Sequence, residues 1–477
     1  VRLCRSLFVR LVTVSVFVLL LRVSGAPVTV TLLNTGDIHE HTANLPRIAA
    51  YVRQRKRRDP NTLFFDAGDL LNKGDRVIMA TRGNAMFRLV GATGYDACIL
   101  GNHGLTYGRV ATLAMLQRHR VPLLDANSNW GEPHPKPFPA YRVFVLEGVR
   151  VAVVGMTSEA LNHCCERRPI VKRTRMNTVW AALHAEVRSQ SDIVVILTHV
   201  GTDRDMKFAA QLAKAGMPVD VIIGGHDHRA YQETTIEPES DTLIMHSGQL
   251  GRMVGEVRLV WDGERITERS TRVIEITKAM PRDADLAKIR TEELTAMSSK
   301  LGKAVLNAPV TKTDMMGWSA EVLVAHGDAQ VVVFAKEDFC RPLPAGPLVL
   351  EPLLKAVPQR DVVAIQAPAA KLEELLGHLR LPGKPPRTPM CFRRDGQLPE
   401  VVTILVAALH HDHAVPALAK LGIADLATMD ETGVRRHLWA DVITACNTGH
   451  LPSPPSRNLV AVPVPPMPIT EPTPQAP

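Results

Sequence analysis

Several things are scarce in this 477-residue chain. No internal repeat is present, which excludes a solenoid or propeller array. The seven cysteines have neither zinc-ribbon nor redox-motif spacing, so cysteine-based metal or thiol chemistry has no support. The apolar run over residues 11–21 falls short of the roughly 20 residues that span a bilayer. Unbalanced charge is scarce too. Arg2, Arg5, Arg10 and Arg22 account for half of the formal +8, and the remainder is too mild to argue for a nucleic-acid partner.

What is there suits a globular chain of two packed domains with extensions, at 45% apolar content. The first 26 residues join three early arginines, a short apolar stretch and Ser24-Gly25-Ala26, the layout of a secretory signal. They predict an exported protein, periplasmic or extracellular. Membrane attachment is expected only if Pro27 prevents cleavage and the segment stays on as an anchor. Cys4 would leave with the signal. Cys164-Cys165 could then hold a disulfide or remain free thiols, since connectivity cannot be read from sequence.

From residue 28 to about 278, β-branched runs at 28–33, 62–65, 96–100, 149–154, 193–197 and 219–223 alternate with amphipathic stretches, including helical spacing over 45–58 and 84–91. Short, wholly apolar runs separated by helices predict a layered α/β domain with strands buried on both faces. The basic run Arg53-Gln54-Arg55-Lys56-Arg57-Arg58 reads as a solvated helix end rather than an anion site. The expected organisation is a signal over 1–26, an α/β domain over 27–278, a linker helix over 279–303, a smaller α/β domain over 304–450 and a proline-rich disordered tail over 451–477. A strong helix is expected at 370–379.

Five fragments carry the chemistry: Gly36-Asp37-Ile38-His39, Gly68-Asp69, Gly101-Asn102-His103, Thr198-His199 and Gly224-Gly225-His226-Asp227-His228. Each lies just past an apolar run. In open α/β sheets the crevice beyond the carboxyl ends of the strands is where such loops converge. A dinuclear site needs a bridging carboxylate together with neutral nitrogen and oxygen donors, and all are present. We expect Asp37, His39 and His228 on one divalent ion, Asn102, His199 and His226 on the other, and Asp69 between them. Mn, Zn, Co and Fe suit these donors equally. His410-His411-Asp412-His413 reads as an exposed polar stretch, because consecutive helical positions point in different directions.

In these motifs and their order the chain resembles the calcineurin-like metallophosphoesterases, and within them the bacterial 5′-nucleotidase and UDP-sugar hydrolase group. The resemblance extends through His246-Ser247-Gly248 and Gly251-Arg252-Met253-Val254-Gly255, and more weakly through 328–376. It implies a four-layer α/β sandwich followed by a smaller, divergent α/β C-terminal domain. It also implies that His103 acts on the leaving group and that Arg341, in Phe339-Cys340-Arg341-Pro342, contacts the substrate phosphate. Three departures stand out. The family's acidic partner of the histidine is replaced within Gly104-Leu105-Thr106, where Thr106 can hydrogen-bond to an imidazole but not stabilise its charge. The loop from Asp69 to Gly74 is one residue longer. The aromatic nucleobase clamp has Gln359 at its first position.

The expected function is an exported two-metal phosphohydrolase that cleaves phosphomonoesters, 5′-nucleotides among the candidates, by attack of metal-activated water. Its partner is a small phosphorylated substrate; oligomeric state is not fixed. The alternatives are a catalytically weakened, metal-containing binding protein and a different hydrolase on the same scaffold, such as a thiosulfohydrolase.

Overall fold

The computed structural model describes residues 26–462 apart from 73, 134, 159–170, 299–304, 328, 340, 358–361, 374–388, 407–425, 428–441, 443–444, 447–450 and 453–458. The signal segment, Cys164-Cys165, Gln359, the His410–His413 run and the end of the tail lie outside the described residues.

The chain begins with β1 (Val28–Thr35), α1 (Leu45–Arg58), β2 (Thr62–Asp66), α2 (Arg76–Met79), α3 (Asn84–Thr93), β3 (Ala97–Cys98) and α4 (Arg109–Arg118). It continues through β4 (Ser128–Asn129), β5 (Tyr141–Leu146), β6 (Val149–Gly155), β7 (Lys172–Arg173), α5 (Met176–Ser189), β8 (Ile193–Leu197), α6 (Thr202–Lys214) and β9 (Val221–Gly224). Four more strands, β10 (Thr235–Glu237), β11 (Thr242–His246), β12 (Met253–Trp261) and β13 (Ile266–Glu275), precede α7 (Ala284–Ser298).

These strands form two main sheets, ordered β13-β12-β1-β2-β3 and β10-β11-β9-β8-β6-β5. Alternation along each strand explains how they stack. Val30, Leu32 and Phe65 of the first sheet meet Val151, Val195 and Ile223 of the second in one buried cluster. Their neighbours Leu33 and Phe64 face the opposite way, onto Ile48 and Val52 of α1 and Phe87 of α3. On the far side, Val194, Ile196 and Ile222 pack under Trp180 of α5 and Phe208 of α6. A strand buried on both faces must be apolar at every position, which is why these runs are continuous. The result is a helix, sheet, sheet, helix sandwich, the four-layer α/β fold expected. α1 shows how one layer is specified. Leu45, Ile48, Ala49 and Val52 form its buried stripe, Pro46 sits in its first turn, and four cations end it where the helix dipole favours positive charge.

The C-terminal domain comprises β14 (Val305–Leu306), α8 (Lys312–Gly327), β15 (Val331–Ala335), β16 (Gly346–Pro347), α9 (Leu350–Ala356), β17 (Val363–Pro368), β18 (Pro389–Arg394), β19 (Val401–Val406), β20 (Leu426–Ala427) and β21 (Leu459–Val462). Six of these strands make a mixed sheet, β20-β17-β19-β15-β18-β21. Its core, around Trp318, Phe334 and Leu353, also takes in Val77 and Ala80 from the first domain. Of the helix expected at 370–379, the described residues show a short 3-10 turn, Ala369–Lys371, while 374–379 lie outside the described residues. No helix among the described residues is long and apolar enough to cross a membrane.

Candidate metal centre

The loops that leave β1, β2, β3, β8 and β9 meet at one edge of the two sheets. Backbone hydrogen bonds stitch them together: Asp37 N–H donates to Gly68 O at 2.9 Å, His39 N–H to Asp69 O at 2.8 Å and Gly201 N–H to Gly225 O at 2.9 Å. Two glycines are required by close approach. A Cβ at Gly101 would sit 2.0 Å from Asp69 Oδ1, and one at Gly225 would sit 2.8 Å from Asp37 Oδ2.

Into this junction the structure brings two groups of ligand atoms, each within 4.8 Å of one another: Asp37, His39 and His228, and Asp37, Asp69 and His199. Asp69 Oδ2 lies 3.1 Å from His199 Nε2 and 3.9 Å from His39 Nε2, so it faces both groups. Asp37 belongs to both as well, with Oδ1 3.5 Å from His228 Nε2 and 3.8 Å from His199 Nε2. Asn102 and His226 face each other, Oδ1 to Nδ1 at 2.9 Å, with the His226 ring packed edgewise on His199. His103 sits beside the cluster, Nε2 3.9 Å from Asp69 Oδ2, and its backbone N–H donates to Asp69 Oδ1 at 2.9 Å. Arg341 is not brought into this group by any contact among the described residues; it is exposed on a loop of the C-terminal domain.

The surroundings aim the donors. His199 Nδ1 donates to Ala67 O at 2.7 Å and His39 Nδ1 to Leu71 O at 3.0 Å, which in the neutral rings leaves both Nε2 lone pairs directed inward. His39 Nε2 then faces His228 Nε2 at 3.1 Å. Asp37 Oδ1 is buried without a hydrogen-bond partner, and buried His199 Nε2 faces the Asp69 carboxylate. Buried polar atoms are normally satisfied, and a set of inward lone pairs around two carboxylates fits divalent cations. Asp37, Asp69 and His199 are buried, whereas His228 is half-buried and His226 exposed, so the cluster opens on that side.

Electrostatics agree. Burial works against charging His199, yet Asp69 and Asp37 push it up to about 9. Burial also opposes an ionised Asp69, but His199, His103 and His39 hold its carboxyl well below the usual range. Asp37 is raised by burial against the pull of His199, with repulsion from Asp69 added. In the metal-free protein His199 thus supplies positive charge between the two carboxylates.

Other functional neighbours escaped sequence reasoning. Thr106 Oγ1 donates to the backbone carbonyl of His103 at 2.7 Å, and it is Asn72 whose side-chain nitrogen lies 2.8 Å from His103 Nδ1. The expected threonine partner is thus replaced by an asparagine from the lengthened loop. Glu40, next to His39, is buried and pushed up to about 8 by desolvation, partly offset by hydrogen bonds from Asn72 N–H and Tyr107. His246, at the end of β11, bonds Asp205 of α6 at 2.8 Å and Asp227 at 3.3 Å, bracing the loop that carries His226 and His228. Glu40, continuing the Asp-Ile-His motif, carried a local signal, as did His246 and Thr106 within the segments already singled out.

A two-sheet α/β sandwich with paired histidine and carboxylate clusters at its strand ends defines a metallophosphoesterase class, and comparison with known proteins agrees. Residues 30–230 match the calcineurin-like phosphoesterase family. The chain is 25% identical over 379 residues to the uncharacterized metallophosphoesterase YunD of Bacillus subtilis, covering 73% of this chain and 77% of that protein. It is 25% identical over 335 residues to the 5′-nucleotidase of Bos taurus, covering 59% of this chain and 56% of the bovine one. The crystal structure of a 5′-nucleotidase precursor from Thermus thermophilus superposes with a TM-score of 0.58 at 18% identity, over 89% of this chain and 97% of the other, so both domains share its fold. By these measures residues 30–230 form a calcineurin-like phosphoesterase domain, and the chain is a distant relative of the 5′-nucleotidases.

Proposed function

We propose that the protein is a two-metal phosphohydrolase that cleaves phosphomonoesters, with 5′-nucleotides as candidate substrates. One observation carries the reading: the ligand atoms of Asp37, His39, Asp69, His199 and His228 converge, and buried Asp37 Oδ1 has no hydrogen-bond partner. Asp37, His39 and His228 would hold one divalent ion (Mn, Zn, Co or Fe), and Asn102, His199 and His226 the other, with Asp69 bridging. Such a pair, when bound, polarises the phosphoryl group and acidifies the attacking water.

The chain's own residues orient the reaction. Ala67 and Leu71 carbonyls fix the rings of His199 and His39. His103, with Nε2 toward the cluster, is placed to hydrogen-bond the leaving oxygen as the ester P–O bond breaks. Water supplies the new phosphate oxygen; the products are an alcohol and inorganic phosphate. The open side at His226 and His228 admits the substrate, and Arg341 is the candidate phosphate contact from the C-terminal domain. Export belongs to the same proposal and rests on the basic, apolar and small-residue order of residues 1–26.

Purified protein supplied with Mn²⁺, Zn²⁺ or Co²⁺ should hydrolyse p-nitrophenyl phosphate, and the Asp69→Asn variant should not. Bound metal without turnover in any of these conditions contradicts the proposal. That outcome would favour a metal-containing binding protein, a reading supported by the neutral amide that stands against His103 Nδ1.

A further inference from the structure

The second ion's expected donors come from both sheets: Asn102 from the loop after β3, and His199 and His226 from the loops after β8 and β9. Glycines flank Asn102-His103 on both sides, as packing demands: a Cβ at Gly101 would meet Asp69, and one at Gly104 would lie 2.7 Å from Leu100 Cβ. Glycine loses more conformational freedom on ordering than any other residue, so this turn needs anchors from outside. Toward the first sheet, His103 N–H donates to Asp69 Oδ1 at 2.9 Å. Toward the second, Asn102 touches His226 at 2.9 Å, but both are donors to one ion, so that contact competes with the ion rather than bracing its site. Arg173 supplies a brace. Its Nη2 donates to Gly101 O at 3.3 Å and its Nη1 to Ser158 O at 2.6 Å. Gly101 directly precedes Asn102, and Ser158 follows β6, which keeps pace with β8 as far as Met156, whose N–H donates to Leu197 O at 2.9 Å. One guanidinium thus spans the loops of the two sheets. The strand that carries it is fixed in turn. β7 pairs with β4, Arg173 opposite Ser128, and Lys136 Nζ donates to Ser128 O at 2.7 Å. The Asn127 side chain donates to Thr157 O at 2.8 Å and accepts from Thr157 N–H at 3.0 Å, while Thr174 N–H donates to Asn127 O at 2.8 Å.

We propose that Arg173 is a positioning residue for the second metal ion: its guanidinium holds the Asn102 turn at the distance from His199 and His226 that their shared coordination requires. This inference rests on the two-metal reading above. Arg173 acts through Gly101 and ligates nothing itself, since a guanidinium has no lone pair to offer. It suits the task because it is planar, presents its donors in a rigid fork and stays charged at every working pH. Without it the ion itself would have to order the Asn102 turn, and the cost of that ordering would come off the affinity for that ion. Groups that orient a metal ligand are worth about 10- to 100-fold in affinity. The first ion is insulated from this loss. Its donors are aligned by other bonds, with His226 N–H on Asp37 Oδ2 at 2.9 Å and the His39 ring on Leu71 O at 3.0 Å. The two ions should therefore respond differently when Arg173 is removed. Arg173 lies 72 residues from Gly101 and outside all five motif fragments, so no local pattern points to it.

Equilibrium dialysis of chelator-treated, full-length wild type and Arg173→Gln against graded free Mn²⁺, with bound metal counted per chain, tests the proposal. Both proteins should take up a first ion with the same affinity, and Arg173→Gln should bind the second about 10- to 100-fold more weakly. Arg173→Lys, which keeps the charge but not the fork, should fall between the two and serves if the glutamine variant does not fold. Turnover gives a second reading: the Mn²⁺ concentration for half-maximal hydrolysis of p-nitrophenyl phosphate should rise by a similar factor in Arg173→Gln. Equal weakening of both ions would make Arg173 a structural residue and overturn the proposal, and so would an unchanged or tighter second ion. If the wild type binds two ions and cleaves no ester, the phosphohydrolase reading fails while dialysis still decides the role of Arg173. A wild type that never takes up a second ion overturns both.

Discussion

Five of the seven ligand candidates hold backbone conformations that L-residues avoid: Asp37 (φ 53°), His39 (50°), Asp69 (55°), His226 (95°) and His228 (63°). Each such residue costs roughly 1–3 kcal/mol. Strain and unpaired lone pairs in one place mean that the metal-free site is the weak part of a well-packed domain. A cation that binds only the folded chain stabilises it in proportion to its excess over Kd. Removing metal with a chelator should therefore lower the thermal midpoint, and adding Mn²⁺ or Zn²⁺ should restore it; an unchanged midpoint would show that no ion is held. His103 permits a separate test. His103→Asn should lower kcat about 10²–10³-fold, the span of a lost transition-state hydrogen bond, and leave metal content as it was. Loss of metal together with activity would instead make His103 a ligand. The donors were legible from sequence because each stands directly after an apolar run, so local order was enough. Asn72 was not, because its contact with His103 spans 31 residues, and that of Tyr107 with Glu40 spans 67. Long-range contacts of ordinary polar residues leave no local pattern.

At the scale of elements, strand ends aim the ligands and a buried ion network holds one of the loops. Burial opposes charging His246, but the hydrogen bonds its ring donates to Asp205 and Asp227 push it up to about 9 from an ordinary 6.5. Asp227 shifts the other way: burial is overcome by His246 and Thr202, and the carboxyl falls well below its usual 3.8. A histidine raised on folding contributes stability that is complete below about 6.5 and lost as pH climbs through about 9. An acid lowered on folding contributes above about 3.8 and loses its effect as pH falls further. The lock joining α6, β11 and the His226–His228 loop is thus strongest between about pH 4 and 6.5. The melting temperature of chelator-treated protein should decline from pH 6.5 to 9, and His246→Asn should flatten that decline. An equal slope in the variant would remove His246 from the account. Most strands could be read from their apolar runs: β8 matches its run, and β1 and β2 extend theirs by one or two residues. β3 is shorter than its run at 96–100, because residues beyond Cys98 leave the ladder to bring Gly101 against Asp69. The partition of the strands between two sheets could not be read from the runs. Both sheets demand apolar residues on both faces, so the runs look alike, and the four-layer arrangement came from resemblance alone.

Over the whole molecule, the C-terminal domain is docked directly onto the segment that follows the Asp69–Gly74 loop. The Arg76 guanidinium of α2 donates to the carbonyls of Leu354 and, at 2.9 Å, Val357 around the end of α9. α7 lies alongside, with Arg88 paired to Glu292 and Glu293 at 2.7 Å and Arg290 to Asp75 at 3.3 Å. Arg76→Ala removes donors from carbonyls at the domain junction. It should increase proteolytic cleavage between the domains in limited digestion while the first domain keeps its metals; an unchanged digestion pattern would show that apolar packing of Val77 and Ala80 suffices. The C-terminal domain was the least legible part of the chain, since its mixed sheet interleaves strands distant in sequence, with β15 between β18 and β19.

The central claim is a pair of cations gathered around Asp69, and metal quantification by mass spectrometry after reconstitution and desalting tests it most directly. The account predicts two divalent ions per chain in the wild type and no more than one in Asp69→Asn. A wild type that retains none, or a variant that retains both, contradicts it.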